Sequence, residues 1–316
     1  MSEHDDADVI EQTPRQADFP AVCGLPGVRG IIGAGRRRIV IVAVGCALLV
    51  TAAALVTFRL TEGPRTDPAL ARLVAEVTTV PVGTAVPGLP VLPASASPDG
   101  AYSSTLLIGP GTLGTVSGPP LTVGGKPEVF YVATEYCPYC QVESWPLIVA
   151  LSRFGTFTAL ATSRSPQFEH IAPVDGWTFY GSHYTSRYLA FVPVERYSNV
   201  LVNARANPDA GTSYRVLQQL TPPQRAIFAR YDKPHATPFL DFANRAVQIG
   251  SGSIAPQLMA GKSWPQLAIA LRQPKTALGA ALLDEAESLT AALCRLSGNR
   301  PASACPAFLQ NAELPS

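Results

Sequence analysis

Hydrophobic and polar positions divide the chain into stretches of different physical kind. Residues 1–38 begin polar, with Asp5, Asp6, Asp8 and Glu11, then turn rich in Gly and Pro. They show no period of 2 or 3.6 and read as a disordered tail. Ile39 to Phe58 runs without a charge over about the length that spans a bilayer as a helix. Residues 59–100 read as a stalk. Asp67 to Val77 places Leu70, Leu73, Val74 and Val77 on one side of a short helix, and Pro81, Pro87, Pro90, Pro93 and Pro98 then favour an extended linker. Residues 101–310 carry the mixed periodicities of one packed domain.

Within that domain the pattern predicts short strands at Tyr102 to Ile108 and Leu121 to Val123, then a β-prone run, Val129 to Thr134. A helix follows from Gln141 to Phe154, closed by Gly155. It is apolar around much of its circumference (Val142, Trp145, Leu147, Ile148, Val149, Leu151), so it belongs buried against a sheet, with Pro146 as a kink. Phe157 to Thr162, Trp177 to Tyr180 and Tyr188 to Val194 read as strands, with a turn or loop over Gly181 to Ser186. Tyr214 to Leu220 and Pro222 to Tyr231 suggest short helices. Phe239 to Ala243 and Val247 to Ile249 suggest strands, and Trp264 to Leu271 and Ala277 to Leu296 suggest closing helices. The last carries Asp284, Glu285 and Glu287, which exclude a second membrane span.

Charge and cysteines add a topology. The net charge of +1 shows no nucleic-acid signature. Arg36-Arg37-Arg38 precede the apolar run, so the N-terminus is expected in the cytoplasm, with everything after Phe58 outside. Arg59, Arg65 and Arg72 weigh against that orientation. A signal peptide is the alternative reading, but the tail exceeds an n-region and the apolar run exceeds an h-region. Cys137, Cys140, Cys294 and Cys305 all fall on the outer side. An oxidising compartment pairs them as 137–140 and 294–305, the second bridge being a structural staple. Cys46 reads as a small apolar lipid-facing side chain.

Candidate chemistry centres on Cys137-Pro138-Tyr139-Cys140 between a strand and a helix. Pro138 suits the first helical position, where its missing N–H has no intrahelical partner anyway. The helix N-terminus then aims N–H groups and partial positive charge at the Cys137 sulfur, which stabilises a thiolate. Cys140 lies one turn later and is placed to resolve a mixed disulfide. Half of a zinc site and a purely structural bridge are competing uses. The other cysteines are single and distant and the four His are scattered, so no metal and no organic cofactor is expected. Strand, C-x-x-C, helix is the order of a thioredoxin-like redox site.

The residues also carry a family resemblance. Glu135 to Cys140, Ala150 to Gly155, Phe179 to Ser182 and Pro238 to Asn244 together resemble a prokaryotic family of membrane-anchored thioredoxin-like proteins, catalogued only as a domain of unknown function. The wider resemblance, to thioredoxins and glutaredoxins, implies dithiol–disulfide exchange; Pro138-Tyr139 is the dipeptide typical of glutaredoxins. It implies that Thr237-Pro238 is the cis-proline element beside the C-x-x-C, aligning substrate peptide. Tyr136 takes the place of the Trp before the thioredoxin cysteines, and Tyr139 joins it as a substrate-binding candidate. The sequence departs from thioredoxin where the strand's buried carboxylate belongs, since Tyr131 stands there. Glu135 and Glu143 are the nearest carboxylates; either could take protons, at the cost of raising the pKa of a nearby thiol, and the favoured reading is that both are solvated charges. His235 reads as a surface side chain.

The expectation is an α/β protein: a thioredoxin-like fold with insertions on a single N-terminal transmembrane helix. The domain over 101–310 would be extracytoplasmic at the plasma membrane and would act on protein thiols or disulfides, with a membrane protein as a candidate redox partner and no direction of exchange implied. Cys137 would be the exposed nucleophile. The rival expectation is a non-catalytic binding or envelope-assembly module that keeps 137–140 as a fixed bridge.

Overall fold

The computed structural model describes residues 67–83, 113–232 and 236–310. The chain divides into a unit Met1–Arg65, which lies outside the described residues, and a unit Thr66–Ser316. The expected tail, the membrane segment Ile39 to Phe58, the stalk beyond Gly83, the strand at Tyr102 to Ile108 and His235 all lie outside the described residues. Among the described residues no helix is long and apolar enough to cross a membrane.

In chain order the elements are α1 (Pro68–Thr78), β1 (Gly114–Thr115), β2 (Thr122–Val123), β3 (Lys126–Ala133), α2 (Pro138–Ser152), β4 (Gly155–Thr158) and β5 (Ala161–Arg164). Then come β6 (Asp175–Thr178), β7 (His183–Ser186), β8 (Ala190–Glu195), β9 (Tyr197–Leu201), β10 (Tyr214–Val216) and α3 (Pro222–Tyr231). The chain closes with β11 (Phe239–Phe242), β12 (Ala246–Ile249), α4 (Trp264–Ala270), α5 (Ala277–Ser297) and α6 (Ala307–Gln310). This is a mixed α/β architecture.

Strand β3 is its axis. It pairs parallel with β8 and antiparallel with β11, within a mixed sheet ordered β1-β12-β11-β3-β2. A strand covered on both faces must be apolar on both, and Val129 to Ala133 are all buried. Val129, Tyr131 and Ala133 face one core with α2; Phe130 and Val132 face a second with Phe228 and Tyr231 of α3. Helix α2 is buried on nearly every side, as its unbroken apolar run requires, and α5 packs across it. Trp145 is fully covered, and its indole N–H donates to Asp175 O at 3.0 Å. Truncating that ring would cost about 3–5 kcal/mol.

Helix α1 starts as the sequence suggests, with Asp67 accepting from Ala69 N at 2.9 Å and Pro68 in the first turn. It is not a free-standing part of a stalk. Val77 is fully buried in the main core, and Leu70, Leu73 and Val74 pack against it.

Four local expectations change. The strand read over Phe157 to Thr162 is two, β4 and β5, broken where Ala159 takes φ 57°. The loop read over Gly181 to Ser186 contains β7, which pairs with β4. The helix read over Tyr214 to Leu220 does not form: Tyr214–Val216 are β10, whose pairing with β9 satisfies the backbone, and residues 217–220 are irregular. Glu143, read as solvated, is fully buried: it sits on the all-round apolar helix α2, which leaves no wet face.

Candidate redox site

The site is built where β3 ends and α2 begins. Cys137 is the N-cap of α2, with Pro138 at the first helical position. Its N–H donates to Thr134 O and its carbonyl accepts from Gln141 N, both at 3.2 Å. The preceding turn is pinned from two sides. Glu135 N donates to Tyr197 O at 2.8 Å, and Gln141 Nε2 donates to Glu135 O at 2.7 Å.

The sheet brings Thr237-Pro238 to this point although it lies 100 residues away. Antiparallel pairing of β11 with β3 places Phe239 opposite Val132, so the residues before β11 reach the end of β3. The Thr237–Pro238 bond is cis. The Cys137 thiol donates to Thr237 O at 3.4 Å. Cys137, Cys140, Thr237 and Pro238 therefore form one cluster, with Tyr136 and Tyr139 half-buried at its edge. The Tyr136 ring stacks on Tyr214 at 4.4 Å with 12° between planes, and Phe168 and Tyr197 complete the aromatic group. Gly211 packs its backbone against the Tyr136 hydroxyl, in space that a Cβ would fill.

Both cysteines are free thiols. The expected exposed nucleophile is in fact covered: Cys137 is 6% exposed and Cys140 3%. The Thr237 segment lies against the sulfur, which no reading of local sequence reveals. The thiols still differ. Burial pushes Cys137 up, but hydrogen bonds from the Cys140 thiol and backbone N–H, from Thr237 and from Tyr139 N–H outweigh it, and its pKa falls below the usual thiol range. Cys140 is pushed well up, by burial first and then by Cys137.

Glu195 was not singled out from the sequence. It ends β8 directly opposite Ala133 and is 3% exposed. Its Oε1 accepts from Phe179 N at 3.2 Å. Burial raises its pKa to about 8, with further contributions from Glu135 and Cys137. A polar residue at the end of an apolar strand was the only local signal. Tyr131, whose phenol is raised by burial and then by Cys140, Glu195, Glu143 and Cys137, lies among the same groups.

Cys294 and Cys305 stand apart from this cluster and bridge each other, with Cα atoms 5.6 Å apart. Among the described residues no group of three or more His, Cys, Asp or Glu is placed to hold a metal ion.

These features define a mixed α/β domain with a buried, chemically unequal dithiol at a strand-to-helix junction. The family described as Domain of unknown function (DUF929) matches residues 113–295, and the chain belongs to that family. No curated protein and no solved structure matches the chain.

Proposed function

We propose that the protein is a thioredoxin-like thiol–disulfide oxidoreductase, anchored by Ile39 to Phe58 and acting outside the cytoplasm on envelope or secreted proteins. The observation that carries this reading is the asymmetry of the dithiol. Cys137, the N-cap of α2, has the lowered pKa, and Cys140, one turn inside, the raised one. Such a pair divides the work of exchange.

In the reductive direction the Cys137 thiolate attacks one sulfur of a substrate disulfide. A Cys137–substrate bond forms, the substrate S–S bond breaks, and the leaving sulfur takes a proton. Cys140 then loses its proton and attacks Cys137 Sγ. The substrate departs as a dithiol and the 137–140 disulfide remains, so two electrons have passed to the substrate. A dithiol partner in the membrane would restore the pair; run backwards, the same steps oxidise. Thr237 and Pro238 would align the substrate backbone, and Tyr136 and Tyr139 would contact its side chains.

The burial of both sulfurs favours a second reading, a binding module with a fixed bridge. Redox titration separates the two. An exchange-active pair equilibrates between about −120 and −270 mV, whereas an inert bridge lies below about −300 mV. Cys140→Ser should accumulate mixed disulfides through Cys137, and Cys137→Ser should not; absence of any trapped species together with a potential below that range refutes the oxidoreductase.

A further inference from the structure

A cavity of about 330 Å³ opens beside the aromatic group, and Arg196, Tyr197, Val216, Leu220, Arg225 and Phe228 are among the residues that line it. Two guanidinium groups share it, and no Asp or Glu lines it. Neither arginine has a carboxylate partner among the described residues, whose ion pairs are Arg153–Glu287 and Arg164–Asp175. Both are nonetheless positioned. Arg225 Nη1 donates to Leu220 O at 2.7 Å, and the Arg196 guanidinium lies 5.4 Å from the Tyr197 ring centre. Glu195, next in sequence to Arg196, does not neutralise it. Arg196 lies just past the end of β8, and the Glu195 carboxyl accepts from Phe179 N. Two like charges that line one cavity without a counter-ion repel, and an anion between them relieves that. Guanidinium forks match the two oxygens of a carboxylate. Val216 and Phe228 add apolar wall, which suits an organic body more than an inorganic ion.

Tyr197 ties the cavity to the thiols. It lines the cavity, its carbonyl holds Glu135 N, and its ring lies 6.3 Å from Tyr136, the residue before Cys137. We propose that the Arg196–Arg225 cavity takes the carboxylate of an Asp or Glu side chain in the substrate polypeptide, a few residues from the cysteine under exchange. This rests on the oxidoreductase reading and gives it a substrate class: acidic segments flanking a disulfide.

The test uses the full chain in detergent micelles and two independent readouts. Binding is read by fluorescence anisotropy with labelled, cysteine-free peptides of equal length, one carrying Asp and Glu and one carrying Asn and Gln instead. Exchange is read separately with hydroxyethyl disulfide, an uncharged small substrate. The acidic peptide should bind at least about tenfold more tightly than its amide twin, less so as salt is raised. Arg196→Gln with Arg225→Gln should bring the acidic peptide to the level of the twin and leave turnover of hydroxyethyl disulfide unchanged. Arg→Lys at both positions, which keeps charge without the fork, should fall between. Equal binding of the two peptides by the unaltered protein overturns the proposal, and so does an acidic preference that survives the Gln variants. Displacement of the acidic peptide by sulfate at equal concentration assigns the cavity to small anions and overturns it as well. Loss of hydroxyethyl disulfide turnover in the unaltered protein would count against the oxidoreductase and not against the cavity.

Discussion

Glu143 of α2 and Glu285 of α5 interact across the packed helices, and neither has an ion-pair partner among the described residues. Glu143 is fully buried and Glu285 is 6% exposed. Gln248 lies close enough to lower the pKa of each, yet neither Glu143 oxygen has a partner in hydrogen-bond geometry. Gly252 packs its backbone against the Glu285 carboxylate, where a Cβ would overlap it. Burial first, then Glu285, pushes Glu143 well up; burial raises Glu285 to about 7, with Asp284 adding to the rise.

The consequence for stability has an unusual sign for carboxyl groups. The folded state holds these protons more tightly than the unfolded state, whose carboxyls ionise near their ordinary value of 4.5. From there upward, to about pH 7 for Glu285, the folded state binds more protons, so stability falls as pH rises, by up to about 1.4 kcal/mol per pH unit for one group. Glu143→Gln keeps the shape and removes one ionisable group. It should raise the melting temperature at pH 8, do little at pH 5, and flatten the slope between. Equal destabilisation at both pH values would show that the acid pair is not the source.

Arg153 and Glu287 present the opposite case, a buried pair of opposite charges. Their atoms approach to 3.0 Å at 6% and 10% side-chain exposure. Arg153 also donates to Thr290 Oγ1 at 2.6 Å and Pro81 O at 3.0 Å, and Glu287 accepts from Gly83 N at 2.8 Å. The pair thus ties the segment after α1 to α2 and α5. Glu287→Ala leaves a buried guanidinium uncompensated and should cost about 3–5 kcal/mol in urea denaturation. Arg153→Met with Glu287→Leu should recover most of that, because it removes both charges.

The Cys294–Cys305 bridge closes the turn after α5, at a sequence separation of 11. Cys305→Ser should lower stability by about 3 kcal/mol, the chain-entropy value for a short loop. Non-reducing peptide mass spectrometry should link 294 to 305 and leave 137 and 140 alkylatable. A 137-to-294 link would refute the pairing.

The C-x-x-C between strand and helix and the burial of α2 were legible because each follows from local pattern, whereas the place of Thr237-Pro238 was implied by the resemblance to thioredoxins. Apolar runs at Val129 and Val142 and a proline at the first helical turn need no knowledge of distant partners. The unread features depend on pairings made over long separations. Glu195 becomes a buried acid only because β8 runs parallel to β3, and Cys137 is covered only because the segment before β11 lies over it. Tyr214 to Val216 has no alternation strong enough to declare a strand; β9 supplies the pairing. Glu143 was misjudged for a different reason. A charge is usually solvated, and here the all-round apolar helix was the stronger signal.

The last prediction concerns Glu195 and the thiol chemistry. Its carboxyl titrates near pH 8, close enough to Cys137 that each charge disfavours the other. Below that pH the carboxyl is neutral and Cys137 ionises without opposition from it. Above it, a carboxylate stands beside the sulfur and raises its pKa. Alkylation of Cys137 in a Cys140→Ser background should therefore follow pH with two inflections, the upper one near 8. Glu195→Gln should remove the upper inflection and leave one thiol titration, with a Cys137 pKa lower than that seen in the alkaline limb of the parent. A packing role alone would change stability and leave the shape of the profile intact, so melting temperature is measured in parallel. A two-inflection profile that persists in the Gln variant assigns the upper group elsewhere, with Tyr131 and Glu143 the next residues to substitute.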